Sequence, residues 1–306
     1  MSLARTLLIR ASRSTWLADQ FRRRKFARRA VQRFMPGEEL SAALDAASQL
    51  ASAGIGTVLT QLGEQVRSGA EAEAVRDHYQ EVLGQVRERF LPAQVSVKLT
   101  HLGLDVGREA CVRHVLALAA KAREEGSFLW IDMEESRYVD ATLEIYRRVR
   151  SQHHDVGVAM QAYLRRTPAD LESLLPLQPT IRLVKGAYAE PADIALPKKR
   201  DVDAQYFALA ERLLTAAAAG QATPIFGTHD LPLVQRIRDR GAAVKADGRY
   251  EVHMLYGIRS AEQRELAAAG IKMRVLISYG SHWFAWYMRR LAERPANVWF
   301  VVKSLF

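Results

Sequence analysis

Short apolar runs rich in Val, Ile and aromatic residues recur along this chain at Gly56 to Thr60, Val95 to Leu99, Phe128 to Met133, Val156 to Gln161, Ile181 to Gly186, Pro224 to Thr228, Tyr250 to Leu255 and Met273 to Ser278. Runs of this length and composition predict strands. The segments between them change period. Glu71 to Arg89, Ala110 to Glu125, Tyr138 to Arg150, Ala204 to Ala219, Pro232 to Arg240 and Ala261 to Ala269 carry apolar residues at helical spacing. Leu40 to Leu50 reads the same way, behind the acidic turn Pro36-Gly37-Glu38-Glu39. Alternating strand and helix implies parallel strands joined by right-handed crossovers. Eight such units in about 240 residues fit a closed, distorted (β/α)8 barrel of α/β class better than an open sheet. A doubly wound sheet is the alternative, but no Gly-x-Gly-x-x-Gly follows any of the runs.

Composition refines this without overturning it. An apolar content of 49% with 25% charged residues is that of a globular protein, and no stretch reaches the length of a membrane span. The single cysteine, Cys111, lies in a helical pattern and is expected in the core. With no partner thiol, it argues for a reducing compartment such as the cytoplasm and against a zinc centre, so no metal site is expected.

The net charge of +10 is concentrated at one end. Residues 1–34 hold ten Lys or Arg against one acid, Asp19, which is +9 and leaves +1 for the rest. The body is therefore electrically ordinary. The segment Phe21-Arg-Arg-Arg-Lys-Phe-Ala-Arg-Arg-Ala-Val-Gln-Arg-Phe34 reads as a basic amphipathic helix. It suits a solvated helix packed on the barrel, a peripheral contact with an anionic inner-membrane surface, or a cleaved transit peptide. Nucleic acid is not the expected partner. The expected division is a helical arm over residues 1–53 and a barrel over 54–306.

In a barrel of this kind, chemistry sits at the C-terminal strand ends. Polar residues collect there: Gln61 and Glu64, Lys98, Asp132 and Glu134, Gln161, Lys185, then Thr228, His229 and Asp230, and Tyr256. Lys98, Asp132, Arg182 and Lys185 fall inside apolar runs, where a charge needs a partner or a ligand. Lys98 has three readings: an anion binder, a Schiff-base nucleophile, or half of a structural ion pair. Asp132, near the end of the next strand, offers it a counter-charge. Near the C-terminus, Arg289 and Arg290 follow a cluster of aromatic residues, with Glu293 on the same helical face. Two adjacent guanidinium groups behind aromatic rings suggest a carboxylate clamp, although an amphipathic surface helix has the same pattern.

Taken in order, Ser96-Val-Lys-Leu-Thr100, Asp132-Met-Glu134, Arg182-Leu-Val-Lys-Gly-Ala-Tyr188, Leu255-Tyr-Gly257 and Arg289-Arg290-Leu-Ala-Glu293 resemble the FAD-dependent proline dehydrogenases of monofunctional bacterial type, from about Gly37 to Asn297. The resemblance implies FAD at the strand ends, L-proline oxidised to Δ1-pyrroline-5-carboxylate, and electrons passed to a quinone or similar acceptor. It implies that Lys98, Arg289 and Arg290 hold the carboxylate of a small imino acid. Asp132 and Tyr188 would be further active-site residues, Leu255 an apolar wall, and Glu64 the acid that closes on Arg289. Gln161, Arg182, Val184, Lys185, Gly186 and Ala187 match flavin contacts, with Arg182 near the flavin N5, and Glu293 is a further cofactor-binding position. Phe226, Thr228 and His229 match contacts to the adenosine and pyrophosphate.

Three positions depart from the family pattern. Leu276 and Trp286 stand where tyrosines usually pack on the substrate ring, and His253 stands where a glutamine usually contacts the flavin. Losing the hydroxyl at residue 276 leaves room for a ring substituent such as that of hydroxyproline.

Overall fold

The computed structural model of the chain describes residue 31 and residues 33–284, 287 and 288. Eight parallel strands close into one barrel in chain order: β1 (Gly56–Gln61), β2 (Ala93–Val97), β3 (Leu129–Ile131), β4 (Val156–Gln161), β5 (Thr180–Val184), β6 (Thr223–Gly227), β7 (Glu251–Leu255) and β8 (Met273–Tyr279). Closure comes from β1 pairing with β8, from Gly56 opposite Arg274 to Gln61 opposite Tyr279. All eight strands fall within the apolar runs or one to two residues beyond them.

Among the described residues the α-helices are α1 (Leu40–Ala51), α2 (Gly69–Glu88), α3 (Arg108–Glu124), α4 (Val139–Arg150), α5 (Thr167–Leu174), α6 (Lys199–Ala218), α7 (Leu231–Ala243) and α8 (Ser260–Ala268). Their starts are locally encoded. Ser68 caps α2 by accepting from the Glu71 N–H at 3.2 Å, and Asp230 caps α7 by accepting from the Leu233 N–H at 3.3 Å. Helix α5 has no counterpart in the sequence reading. It has eight residues, with Pro168 in its first turn and only Leu171 and Leu174 as buried apolar residues, too little periodicity to announce a helix.

Helix α1 packs on both β1 and β8, and Ala43, Leu44, Ala46 and Ala47 lie in the main core. The helix before the barrel thus fills the outer groove that a helix after β8 fills in a regular barrel. The chain after β8 comes back toward the start of α1 instead, with the Trp283 Nε1–H donating to Glu38 Oε1 at 3.0 Å. Residues 1–30, the greater part of the basic arm, lie outside the described residues.

Two apolar layers follow from strand alternation. The larger lies between strands and helices and holds Cys111, which is fully buried as expected. The smaller joins Val58, Trp130 and Ile225, with Phe128 and Leu276 against them. These come from β1, β3, β6 and β8 or their edges, and β3 can meet β6 and β8 only across the barrel interior.

Candidate active site

Residues two apart on a strand share a face, so Ser96 points the same way as Lys98, and Trp130 the same way as Asp132. At the C-terminal ends of β2, β3 and β5 this brings four polar side chains together. Arg182 donates from Nη2 to Ser96 Oγ at 2.8 Å and to Asp132 Oδ1. Ser96 Oγ–H donates to the same Asp132 oxygen at 2.9 Å. The other oxygen, Asp132 Oδ2, lies 3.7 Å from Lys98 Nζ. One carboxylate therefore serves two cations. Burial pulls the Arg182 guanidinium below its ordinary value, and Asp132 opposes that shift.

Under this group lies Trp130. The Arg182 guanidinium carbon is 4.7 Å from its ring centre, and the His253 ring meets it edge-on at 5.8 Å. The indole N–H is held by Gln94 Oε1 at 2.7 Å. Below, Glu251 accepts from Arg274 at 2.8 Å and lies 3.3 Å from His253 Nε2. Burial lowers His253 to about 4, against the pull of Glu251 and aided by the charge of Arg182, so its ring is neutral at pH 7. Burial alone would raise Glu251, but His253 and Arg274 outweigh it and hold the carboxyl at about 2.

A second cluster forms at the ends of β5, β6 and β7. Lys185 Nζ bonds Asp203 at 2.5 Å and Asp230 at 3.0 Å, tying β5 to α6 and to the start of α7. His229 Nε2 accepts the Leu255 N–H at 2.9 Å, which fixes the end of β7. Gly186 sits at φ 111°, and a Cβ there would lie 2.2 Å from the Tyr163 ring. Beyond it, Glu190 accepts from the Ser136 N–H and Oγ–H, both at 2.7 Å, so the loop carrying Tyr188 is strapped to the loop after β3.

A sequence model described as proline dehydrogenase matches residues 43–303. Proline dehydrogenase from Deinococcus radiodurans is 36% identical over 282 residues, covering 90% of this chain and 89% of that protein. Proline dehydrogenase 1 from Bacillus subtilis subsp. natto is 35% identical over 279 residues, covering 91% of each. The chain belongs to the proline dehydrogenase family. The family is one of oxidoreductases. Its fold agrees with a solved structure, proline utilization A from Bdellovibrio bacteriovorus inactivated by N-propargylglycine, at a TM-score of 0.80 and 22% identity. That match covers 87% of this chain and 32% of that one, so the chain spans about a third of the larger protein.

Within this proline dehydrogenase barrel, the residues singled out from sequence divide into groups. Lys98, Asp132, Arg182, His253 and Leu276 converge around Trp130, and Gln161 joins them at the end of β4 by donating to the Met133 carbonyl at 3.3 Å. Lys185, Thr228, His229 and Leu255 form the second cluster, with Val184, Gly186 and Ala187 on the same strand end or just beyond it. Glu64 lies half-buried in the loop after β1. Phe226 is fully buried against Tyr250 in the strand–helix core, so the nucleotide contact expected there would fall to its backbone. Trp286, Arg289, Arg290 and Glu293 lie outside the described residues.

Ser96 and Trp130 were not singled out from sequence as site residues, nor was Thr100 as the partner of Glu134, which was expected at this end of the barrel. Strand parity was the available signal for the first two, since each lies two residues before a charged residue already singled out. Glu134 accepts from the Thr100 N–H at 3.0 Å and its Oγ–H at 2.5 Å. Burial pushes this carboxyl up to about 7, against the Thr100 bonds and Lys98, with the Glu64 charge adding to the rise.

Proposed function

We propose that this chain oxidises L-proline to Δ1-pyrroline-5-carboxylate with FAD as the bound redox group, and that electrons leave to a quinone-type acceptor. The observation that carries the reading is the sharing of Asp132 between Lys98 and Arg182 at the strand ends. Two cations on one carboxylate leave a surplus positive charge, which suits a ligand that carries its own carboxylate. Lys98 is paired with a carboxylate at 3.7 Å, which fits the anion-binding reading better than the imine-forming one.

The residues present fit a flavin. Gln161 Oε1, Arg182 Nη1 and His253 Nδ1 are buried and have no hydrogen-bond partner among the described residues. Buried polar atoms are costly unless bonded, and these three offer a donor and two acceptors to a flat heterocycle with both along its edge. Arg182, Gln161 and His253 would hold the ring system, and Lys185, Thr228 and His229 the phosphate side. When bound, the flavin supplies the hydride acceptor.

The chain's own residues would do the rest. Lys98, with Arg289 and Arg290, would fix the imino acid by its carboxylate, which presents the ring carbon beside nitrogen in one orientation and makes the transfer effectively unimolecular. Arg182 would place positive charge where negative charge develops. Trp130, Leu276 and Val58 would exclude water from beneath the site. Among the described residues no helix is long and apolar enough to cross a membrane. The basic arm over residues 1–34 is proposed to lie on anionic lipid, near a quinone pool, and its binding to vesicles should weaken with salt.

The deciding experiment is a visible spectrum of the purified protein with added FAD, followed by anaerobic L-proline, with hydroxyproline as comparator. A flavin band bleached by L-proline is expected. A protein that stays colourless after FAD is supplied and washed out would end this reading.

A further inference from the structure

We propose that Ser96 is a positioning residue of the redox site, acting through Arg182 and Asp132; this rests on the flavin-dependent reading above. Ser96 Oγ accepts from Arg182 Nη2 at 2.8 Å and donates to Asp132 Oδ1 at 2.9 Å, while Arg182 Nη2 donates to that same oxygen. The three atoms close a triangle. A hydroxyl both accepts and donates at one atom, so it can join a cation to an anion, which no apolar replacement can do.

The geometry makes Ser96 a reference point rather than a follower. Its side chain is fully buried, and its carbonyl accepts from the Tyr79 hydroxyl at 2.9 Å. Tyr79 is itself bonded by the Gln61 N–H at 2.9 Å, so β1, β2 and α2 hold the Ser96 backbone together. Arg182 reaches across from β5 and could pivot on a single bond to Asp132. With Ser96 as a second anchor and the Trp130 ring 4.7 Å away, the guanidinium plane is set and Nη1 is left without a partner among the described residues. The same hydroxyl fixes the rotation of the Asp132 carboxylate, so that Oδ2 faces Lys98 at 3.7 Å. One buried serine thereby orients the charge meant for the flavin and the charge meant for the substrate.

The test uses the FAD-loaded protein with Ser96→Ala, Ser96→Thr and Ser96→Cys. Ser96→Ala should keep full flavin content, lose about tenfold in kcat with KM changed less than threefold, and shift the flavin midpoint potential to more negative values, because one fixed hydrogen bond to the cation is gone. Ser96→Thr, which keeps the hydroxyl, should recover most of both. Ser96→Cys, similar in shape but a poor donor, should match the alanine variant and serves if alanine disturbs folding. In an Asp132→Asn background the Ser96→Ala change should cost less than about twofold, since its partner is already altered. Parental kcat and potential in Ser96→Ala, or a full additive loss in the Asp132→Asn background, would overturn the proposal while leaving the flavoenzyme intact. A parent protein that takes up no FAD would remove the underlying reading, and this role with it.

Discussion

The guanidinium carbon of Arg182 stands 4.7 Å from the centre of the Trp130 ring, on side chains that reach each other across the barrel from β5 and β3. A cation on an indole face in a desolvated site gains about 2 kcal/mol. Trp130→Leu should therefore lower kcat/KM by about tenfold or more and also reduce stability in urea, because a large buried ring is lost. Trp130→Phe keeps a ring but loses the indole bond to Gln94, and should stay within a few-fold of the parent. Steady-state kinetics beside urea unfolding checks both, and a fully active leucine variant would contradict the clamp.

Among the described residues Asp132 is the carboxylate that pairs with both Lys98 and Arg182. Removing one partner of a buried ion pair costs about 3–5 kcal/mol, since the remaining charge stays desolvated. Asp132→Asn should lower the melting temperature and reduce kcat/KM by about a hundredfold. Lys98→Met, by contrast, should act mainly by raising KM for L-proline, because it removes ligand binding and leaves the Arg182 contact in place.

The Glu134 carboxyl is raised by burial to about 7 from an ordinary value of 4.5. The folded protein therefore holds this proton more tightly than the unfolded chain does. Its contribution to stability is fully present below about pH 4.5 and is lost as pH rises to about 7. His101, lowered to about 3 mainly by burial and then by Lys98, acts in the opposite sense, losing stability as pH falls below its ordinary value of 6.5. The His101 contribution is common to both proteins and cancels in a comparison of parent with Glu134→Gln. That difference should grow in favour of the variant from pH 4.5 to 7 by up to about 3 kcal/mol, and then stay level. Urea unfolding across this range would refute the assignment if the two proteins ran parallel.

Gly186 combines φ 111° with a Tyr163 ring that would sit 2.2 Å from an added Cβ. Gly186→Ala has to displace either the ring or the loop after β5, and the backbone strain adds about 1–2 kcal/mol. The expected outcome is a lower melting temperature together with weaker FAD retention on gel filtration. Unchanged flavin content would mean that this loop does not hold the cofactor.

Much of the barrel was legible because strands buried on both faces give continuous apolar runs, and their punctuation by helical segments left one economical topology. Helix α5 was not, because two buried leucines in eight residues carry no period. Lys98, Asp132 and Arg182 stood out because charges inside apolar runs are conspicuous. Ser96 and Trp130 did not, since a serine and a tryptophan in a strand look like ordinary packing until their neighbours across the lumen are known.

The chain's sequence by itself determined the alternation, the faces of each strand and which charges would have to be reconciled with burial, since these depend on residues close along the chain. The tertiary structure decided which charges share a partner. Barrel closure puts β2, β3 and β5 around one space, and only there does Asp132 become common to Lys98 and Arg182, with Ser96 and Trp130 setting the guanidinium. Contacts between residues as far apart as Ser96 and Arg182 arise from strand register and curvature, which local patterning does not encode.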